Sequence, residues 1–204
     1  MVSDAYRFIV PLLAVAAALY FIYPAIALAP AALAGFVAYF FRNPTRAIPG
    51  GQNLVVSPAD GKVVKVVPLP DIDGKPGGSC VSVFLNIFDV HVNRAPIHGT
   101  LESLEYKRGH FKVAYDEEAS RVNEQNIIVM QGQGIQLTIK QVAGLIARRV
   151  ICWKKPGQNL ERGELLGLIR FGSRVDILLP EKVKVLVKVG DRVRGGSSIL
   201  GECE

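Results

Sequence analysis

The residues able to do chemistry in this chain fall in three short stretches. Asp60 lies in Ser57-Pro-Ala-Asp-Gly61, where Asp and Gly both suit a turn and the carboxylate is either an acid/base candidate or the side chain of an Asx turn. His91 lies in Phe88-Asp-Val-His-Val-Asn-Arg-Ala-Pro96, His98 follows two residues after that proline, and His110 follows Arg108-Gly109. Histidine is the natural general acid or base near neutral pH, although most histidines are hydrogen-bonded structural residues. The third stretch is Phe171-Gly172-Ser173-Arg174, ahead of an apolar run. A strained Gly-Ser bond with a reachable carbonyl lets the serine Oγ attack the preceding peptide carbon, and glycine presents no side chain to obstruct it. The peptide becomes an ester, a base removes the serine α-proton, and elimination splits the chain. Hydrolysis of the dehydroalanine then leaves an N-terminal pyruvoyl group. A Gly-Ser dipeptide alone is a common turn, so this chemistry depends on elements that bring the three stretches together.

Those elements read as β-strands. Leu54–Val56, Lys62–Val67, Val81–Phe88, Leu101–Tyr106, Asn126–Met130, Ile135–Ile139, Ala147–Cys152, Val175–Leu179 and Lys182–Val187 are short β-branched or apolar runs punctuated by glycine and proline. Helix is scarce after residue 50, with at most a turn or two in Ala114–Asn123. Residues 185–201 resemble the strand-turn-strand of barrel-sandwich domains of the lipoyl and biotinyl carrier type, and residues 57–64 resemble the other half of that unit. The expected fold is therefore mainly β, a barrel-sandwich-like domain over residues 50–204. No lysine stands at a hairpin tip in a carrier setting, which disfavours a lipoate or biotin carrier.

The first 49 residues are of another kind. No charged residue occurs in the 34 positions from Phe8 to Phe41, between Arg7 and Arg42. A single span needs roughly 20 apolar residues, so this is long for one crossing and short for two. With Pro24 and Pro30 as interruptions, it predicts a hydrophobic helical hairpin, near 8–22 and 25–41, that anchors the chain. The opening Met-Val-Ser-Asp and the length of the run argue against a signal peptide. Arg7, Arg42 and Arg46 flank both ends, which places those ends and the domain that follows on the cytoplasmic side of the cell membrane.

The 204 residues suit one domain plus an anchor, with 50% hydrophobic and 21% charged residues, so the chain can build a core. The net charge of +6 favours an anionic partner. The basic residues are dispersed with no block of five, so the partner is anionic lipid and no nucleic acid. Cys80, Cys152 and Cys203 show neither a disulfide framework nor a metal pattern, and no metal is expected.

Taken together, several motifs resemble the phosphatidylserine decarboxylase family in its short form, along nearly the whole chain. They are Phe40-Phe-Arg-Asn-Pro44, Ser57-Pro-Ala-Asp-Gly61, residues 84–96, Asn123-Glu-Gln-Asn126, residues 141–149, and Gly167-Leu-Ile-Arg-Phe-Gly-Ser-Arg-Val-Asp176. The resemblance implies a proenzyme that cuts itself between Gly172 and Ser173 into a β chain (1–172) and an α chain (173–204). Ser173 would become a covalent pyruvoyl cofactor. The enzyme would convert phosphatidylserine to phosphatidylethanolamine and carbon dioxide through a Schiff base. It also implies an Asp–His pair for processing. Asp60 matches the aspartate. His91 matches the first of two histidines found in longer members, and Arg94 stands where the second would be, so the base is His91 or, alternatively, His98. Arg42 and Arg46 are candidate contacts to the lipid phosphate. The phospholipid substrate and the membrane are the expected partners, and a symmetric homodimer is the default assembly.

Three rivals compete with this expectation. A serine-bearing archaeal ether lipid would use the same chemistry, making the enzyme an archaetidylserine decarboxylase. A pyruvoyl enzyme for a soluble amino acid would need no anchor. A non-enzymatic membrane-anchored barrel-sandwich adaptor would need a long helical hairpin between the two half-motifs, where residues 65–184 read as strands.

Overall fold

The computed structural model describes residues 1–71, 77–110, 119–144, 149–170 and 173–204. The chain divides into two compact units, Met1–Thr45 and Arg46–Glu204.

In the first unit, a single 3-10 turn at Ser3–Ala5 leads into helix α1 (Tyr6–Tyr20), and helix α2 spans Pro24–Phe40. The two pack as an antiparallel hairpin whose ends meet where the Val2 N–H donates to the Phe41 carbonyl at 3.1 Å. Ser3–Tyr20 is long and apolar enough to cross a membrane, and α2 is an apolar helix of 17 residues. Pro24 starts α2, where a missing N–H costs nothing. Pro30 was expected to interrupt the segment but lies inside α2. It removes one backbone hydrogen bond, and the long run of alanine and leucine carries the helix past it. The exit from α2 is tied by Arg42, whose guanidinium sits 3.9 Å from the Tyr39 ring centroid while its Nη1 donates to the Tyr39 carbonyl at 2.9 Å.

The second unit is mainly β. Its described strands are β1 (Leu54–Val56), β2 (Gly61–Pro68), β3 (Ser79–Leu85), β4 (Val92–Arg94), β5 (Gly99–Lys107), β6 (Gln125–Gly132) and β7 (Ile135–Ala143). These are followed by β8 (Val150–Cys152), β9 (Asn159–Leu160), β10 (Leu165–Ile169), β11 (Ser173–Leu179), β12 (Val183–Val185), β13 (Arg192–Val193) and β14 (Ile199–Cys203). A short helix α3 covers Ala119–Val122, within the stretch expected to hold a helical turn, of which residues 114–118 lie outside the described ones. The strands form one eight-stranded sheet, β13-β2-β3-β11-β7-β6-β5-β9, and two three-stranded sheets, β4-β10-β8 and β1-β14-β12. All the pairings between these described strands are antiparallel.

Alternation sets the faces. Val81, Val83 and Leu85 of β3, and Val175, Ile177 and Leu179 of β11, point to one side and join Ile128, Met130, Leu137 and Ile139 in the core. The two half-motifs of the barrel-sandwich pattern meet across the fold. β1 pairs with β14, β2 pairs with β13, and the Ser57 N–H donates to the Ser198 carbonyl at 2.8 Å.

Some expected boundaries move. The run Val81–Phe88 ends as a strand at Leu85, because residues 86–89 form a turn in which Asn86 and Asp89 side chains accept backbone N–H bonds. Strands β4, β9 and β10 had no expectation at all. The run Ala147–Cys152 is a strand over Val150–Cys152, and its residues 147–148 lie outside the described ones.

Candidate active site

The register of the eight-stranded sheet brings the chemical residues to one end. Ser173 opens β11 and sits opposite Leu85, the last residue of β3, and opposite Ala143, the last residue of β7. At the same end β2 begins with Gly61, immediately after Asp60, and pairs Gly61 with Val193 of β13. His91 follows the turn after β3 and precedes β4. Because β4 pairs with β10, the Ile169 N–H donates to the His91 carbonyl at 3.3 Å, four residues before Ser173. The Arg94 N–H, from β4, donates to the Pro58 carbonyl at 2.9 Å and so ties the Asp60 turn to the strand that carries His91. Antiparallel pairing thus assembles three stretches that span more than a hundred residues of sequence.

Asp60 is held by its surroundings. Ser57 Oγ donates to the Ala59 carbonyl at 2.7 Å and shapes the turn. Gly61 is required there, because a Cβ would stand 2.1 Å from the Phe84 carbonyl oxygen and its φ is +151°. Asp60 Oδ1 accepts the Gly195 N–H at 2.8 Å, and Arg46 Nη2 donates to Oδ1 and Oδ2 at 2.8 and 2.7 Å. Arg46 and Asp60 side chains are only 10% and 14% exposed, so this is an internal ion pair. A lipid phosphate, the contact expected for Arg46, would have to displace it. Arg42, the other expected phosphate contact, stacks on Tyr39.

Arg94 completes this cluster. Its Nη1 donates to the Gly163 carbonyl at 2.8 Å, and burial, reinforced by the Arg46 charge, pushes its guanidinium below the usual arginine value while Asp60 opposes that shift. Arg94 thus places a second cation within electrostatic reach of Asp60.

The two alternative histidines differ sharply. His91 is fully buried, and its Nδ1 lies 3.0 Å from the Asp89 carbonyl oxygen. His98 is 51% exposed and its Nδ1 lies 3.1 Å from Glu161 Oε2, on an open surface. His110 makes a bridge to Asn123 and is exposed.

Ser173 is fully buried, and its Oγ has no hydrogen-bond partner among the described residues. It lies on the core face of β11, in alternation with Val175 and Ile177. The same face carries a buried amide chain. Asn126 Nδ2 donates to Gln141 Oε1 at 2.9 Å, Gln141 Nε2 donates to Asn93 Oδ1 at 2.7 Å, and Asn123 Nδ2 donates to the Ala143 carbonyl at 2.8 Å. This chain links the large sheet to β4 and stiffens the layer around Ser173. On the opposite face Arg174 pairs with Asp176 at 2.9 Å, both 4% exposed, and both contact the Ser120 hydroxyl of α3. Gly172, the other side of the expected scissile bond, lies outside the described residues.

A cleft of about 580 Å³ opens beside Asp60, lined by Asp60, Asp89, Arg192, Val193, Arg194, Ser197 and Ser198. Asp89, Arg192 and Arg194 were not singled out from sequence, nor were the roles of Gln141, Asn93 and Asn126. A signal existed for the amides, since all three fall inside the quoted family motifs. For Arg192 and Arg194 there was none, because dispersed arginines carry no local pattern.

Known proteins resemble this chain over most of its length. A family model described as phosphatidylserine decarboxylase matches residues 33–201. A phosphatidylserine decarboxylase proenzyme of Solibacter usitatus is 52% identical over 165 residues, covering 81% of this chain and 78% of that protein. Proteins of the same description from Carboxydothermus hydrogenoformans and Syntrophus aciditrophicus are 45% and 44% identical, over 81% and 86% of this chain and 79% and 84% of their own lengths. With its matched region running through the Asp60, His91 and Ser173 motifs, the chain belongs to the phosphatidylserine decarboxylase family.

Proposed function

We propose that this chain is a proenzyme that cuts itself between Gly172 and Ser173 and then decarboxylates phosphatidylserine to phosphatidylethanolamine. The observation that carries the reading is the buried Ser173 Oγ, without a described hydrogen-bond partner, at the sheet end shared by Asp60 and His91.

Processing uses the chain's own residues. Ser173 Oγ attacks the Gly172 carbonyl carbon and gives up its proton to a base, the Gly172–Ser173 C–N bond breaks, and the freed nitrogen takes a proton. A base then removes the Ser173 α-proton, the Cβ–O bond breaks, and Gly172 leaves as the carboxylate that ends the β chain. The dehydroalanine that remains takes up water and releases ammonia, leaving a pyruvoyl group at the start of the α chain. His91 is the candidate base, since it is buried and beside β10, whereas His98 is held at the surface by Glu161. Asp60 supplies negative charge near the site, oriented by Arg46 and the Gly195 N–H.

The niche around Ser173 fits such a group. Ser173 has no described partner for its hydroxyl, so loss of that hydroxyl breaks no described bond, and the neighbouring Val175 and Leu85 are buried apolar walls. A pyruvoyl group supplies an electrophilic carbonyl and an electron sink for decarboxylation of an amine-bearing carboxylate. Around it, His91 is the candidate proton donor to the carbon that loses carbon dioxide.

The helical hairpin is the proposed membrane anchor, with residues 46–204 on the cytoplasmic side, and a homodimer remains the default assembly. Intact mass with and without borohydride tests the cleavage. Fragments of residues 1–172 and 173–204, the smaller blocked and reducible, are expected from the parent. A Ser173→Ala chain should stay whole and inactive. A Ser173→Ala chain with full decarboxylase activity would overturn the proposal.

A further inference from the structure

The end of the sheet that holds Asp60 and Ser173 also carries the clearest apolar protrusion of the second unit near the cleft. The turn after β3 exposes Ile87 by 37% and Phe88 by 59%. It is pinned from below, since Asp89 Oδ2 accepts the Asn86 N–H at 2.8 Å and Asp89 Oδ1 pairs with Arg192 Nη1 at 3.0 Å. The neighbouring turn before β13 exposes Val189 by 58%. That turn is fastened to β2 through Gly190 N–H to the Val63 carbonyl and Val63 N–H to the Asp191 carbonyl, both 2.8 Å. Around these tips lie the exposed cations Lys62, Lys188, Arg192 and Arg194. Lys62 pairs in register with both Phe84 and Arg192, which sets cations and protruding turn side by side. Asp89 and Asp191 accept backbone N–H bonds, Asp89 also pairs with Arg192, and Asp60 of the cleft pairs with Arg46, so the patch presents apolar tips among cations that outnumber those carboxylates.

Ordered apolar tips on rigid turns among cations match the headgroup layer of an anionic bilayer, which offers acyl carbon beneath and phosphate at the rim. The cleft lined by Asp60, Asp89, Arg192 and Arg194 opens within this patch. Resting on the lipid-decarboxylase reading above, we infer that the Ile87–Phe88 turn, with Val189 and the four cations, is a membrane-docking surface of the catalytic unit that presses the cleft mouth onto an anionic phospholipid bilayer. It acts in addition to the helical hairpin. A headgroup whose acyl chains remain in the bilayer enters this cleft without leaving the membrane only if the cleft mouth touches the headgroup layer.

The experiment uses the full chain in lipid nanodiscs of phosphatidylglycerol and phosphatidylcholine. A Phe88→Trp, Trp153→Phe chain places the single tryptophan on the turn, and lipids brominated along the acyl chain report its depth. Strong quenching by bromine near the headgroup end is expected, weakened when phosphatidylglycerol is omitted. In parallel, Ile87→Ser, Phe88→Ser should lower the ratio of rates on phosphatidylserine vesicles and on dispersed short-chain phosphatidylserine about tenfold. Completed self-cleavage in that variant reports an intact fold. No quenching at any depth, or an unchanged rate ratio, overturns the docking surface. If the variant instead splits a dimer while quenching is absent, the patch joins two copies of the chain, which also overturns it. Loss of the underlying decarboxylase reading is distinguishable, because the parent chain would then fail on the dispersed lipid as well.

Discussion

Replacing Arg46 with alanine removes a side-chain cation bonded to both oxygens of Asp60, at 2.8 and 2.7 Å. The size of the effect follows from the burial of the pair. Breaking a fully buried ion pair costs about 3–5 kcal/mol, and breaking an exposed one about 0.2–1 kcal/mol. The side chains here are 10% and 14% exposed, and Asp60 keeps the Gly195 N–H at 2.8 Å. The expected loss therefore falls between those limits, at about 2 kcal/mol. For a chain of this size that lowers the melting temperature by about 4–8 °C. The measurement is best made in a Ser173→Ala background, where every molecule is expected to be uncut, following Trp153 fluorescence in detergent. A cycle with Asp60→Asn isolates the pair, with an expected coupling of about 1.5 kcal/mol. Arg46→Lys should recover part of the loss, since an ammonium keeps the charge but not the guanidinium geometry. In the self-cleaving background, Arg46→Ala should also slow the appearance of the 173–204 fragment. Additive single substitutions, with coupling under about 0.5 kcal/mol, would refute the claim that Arg46 orients Asp60.

Gln141→Leu should strand Asn126 Nδ2 and Asn93 Oδ1 in the interior, at about 1–3 kcal/mol for each unpaired group, read as a lower urea midpoint; a midpoint equal to that of the parent would mean the amide chain does not brace the layer. Lys154 bonds to Glu164 and holds that carboxyl below its ordinary value, so the pair stabilises the fold above the unfolded carboxylate range and the contribution is lost as pH falls through the folded value. The melting difference between the parent and Lys154→Met should thus be present at neutral pH, worth under about 1 kcal/mol because the pair is partly exposed, and should vanish in acid. A difference that stays unchanged from neutral pH into strong acid would contradict the assignment.

Much of this molecule is legible in local patterns. The uncharged run from Phe8 to Phe41 reads as apolar helix, and the β-branched runs with glycine and proline between them read as strands. The Gly172–Ser173 bond, Asp60 and His91 stand out because their neighbours form recognisable motifs. Strands β4, β9 and β10 escaped notice because they are short and interrupted by polar residues or glycine, so period-two alternation has too few positions to register. Their pairing with distant partners creates them.

Tertiary structure alone decided which of these residues meet. Motif position favoured His91 with His98 as the alternative, and the fold buries His91 beside β10 while His98 pairs with Glu161 at the surface. Arg46 looked like a flanking charge beside an anchor and proves to be the partner of Asp60. Arg192 and Arg194 reach the Asp60 cleft only because β13 pairs with β2, a contact between residues 130 positions apart. Composition and periodicity report the environment each side chain seeks, and that is enough to specify elements. A site is a set of distances between elements, and those follow from strand order and register, which depend on how all the faces bury together.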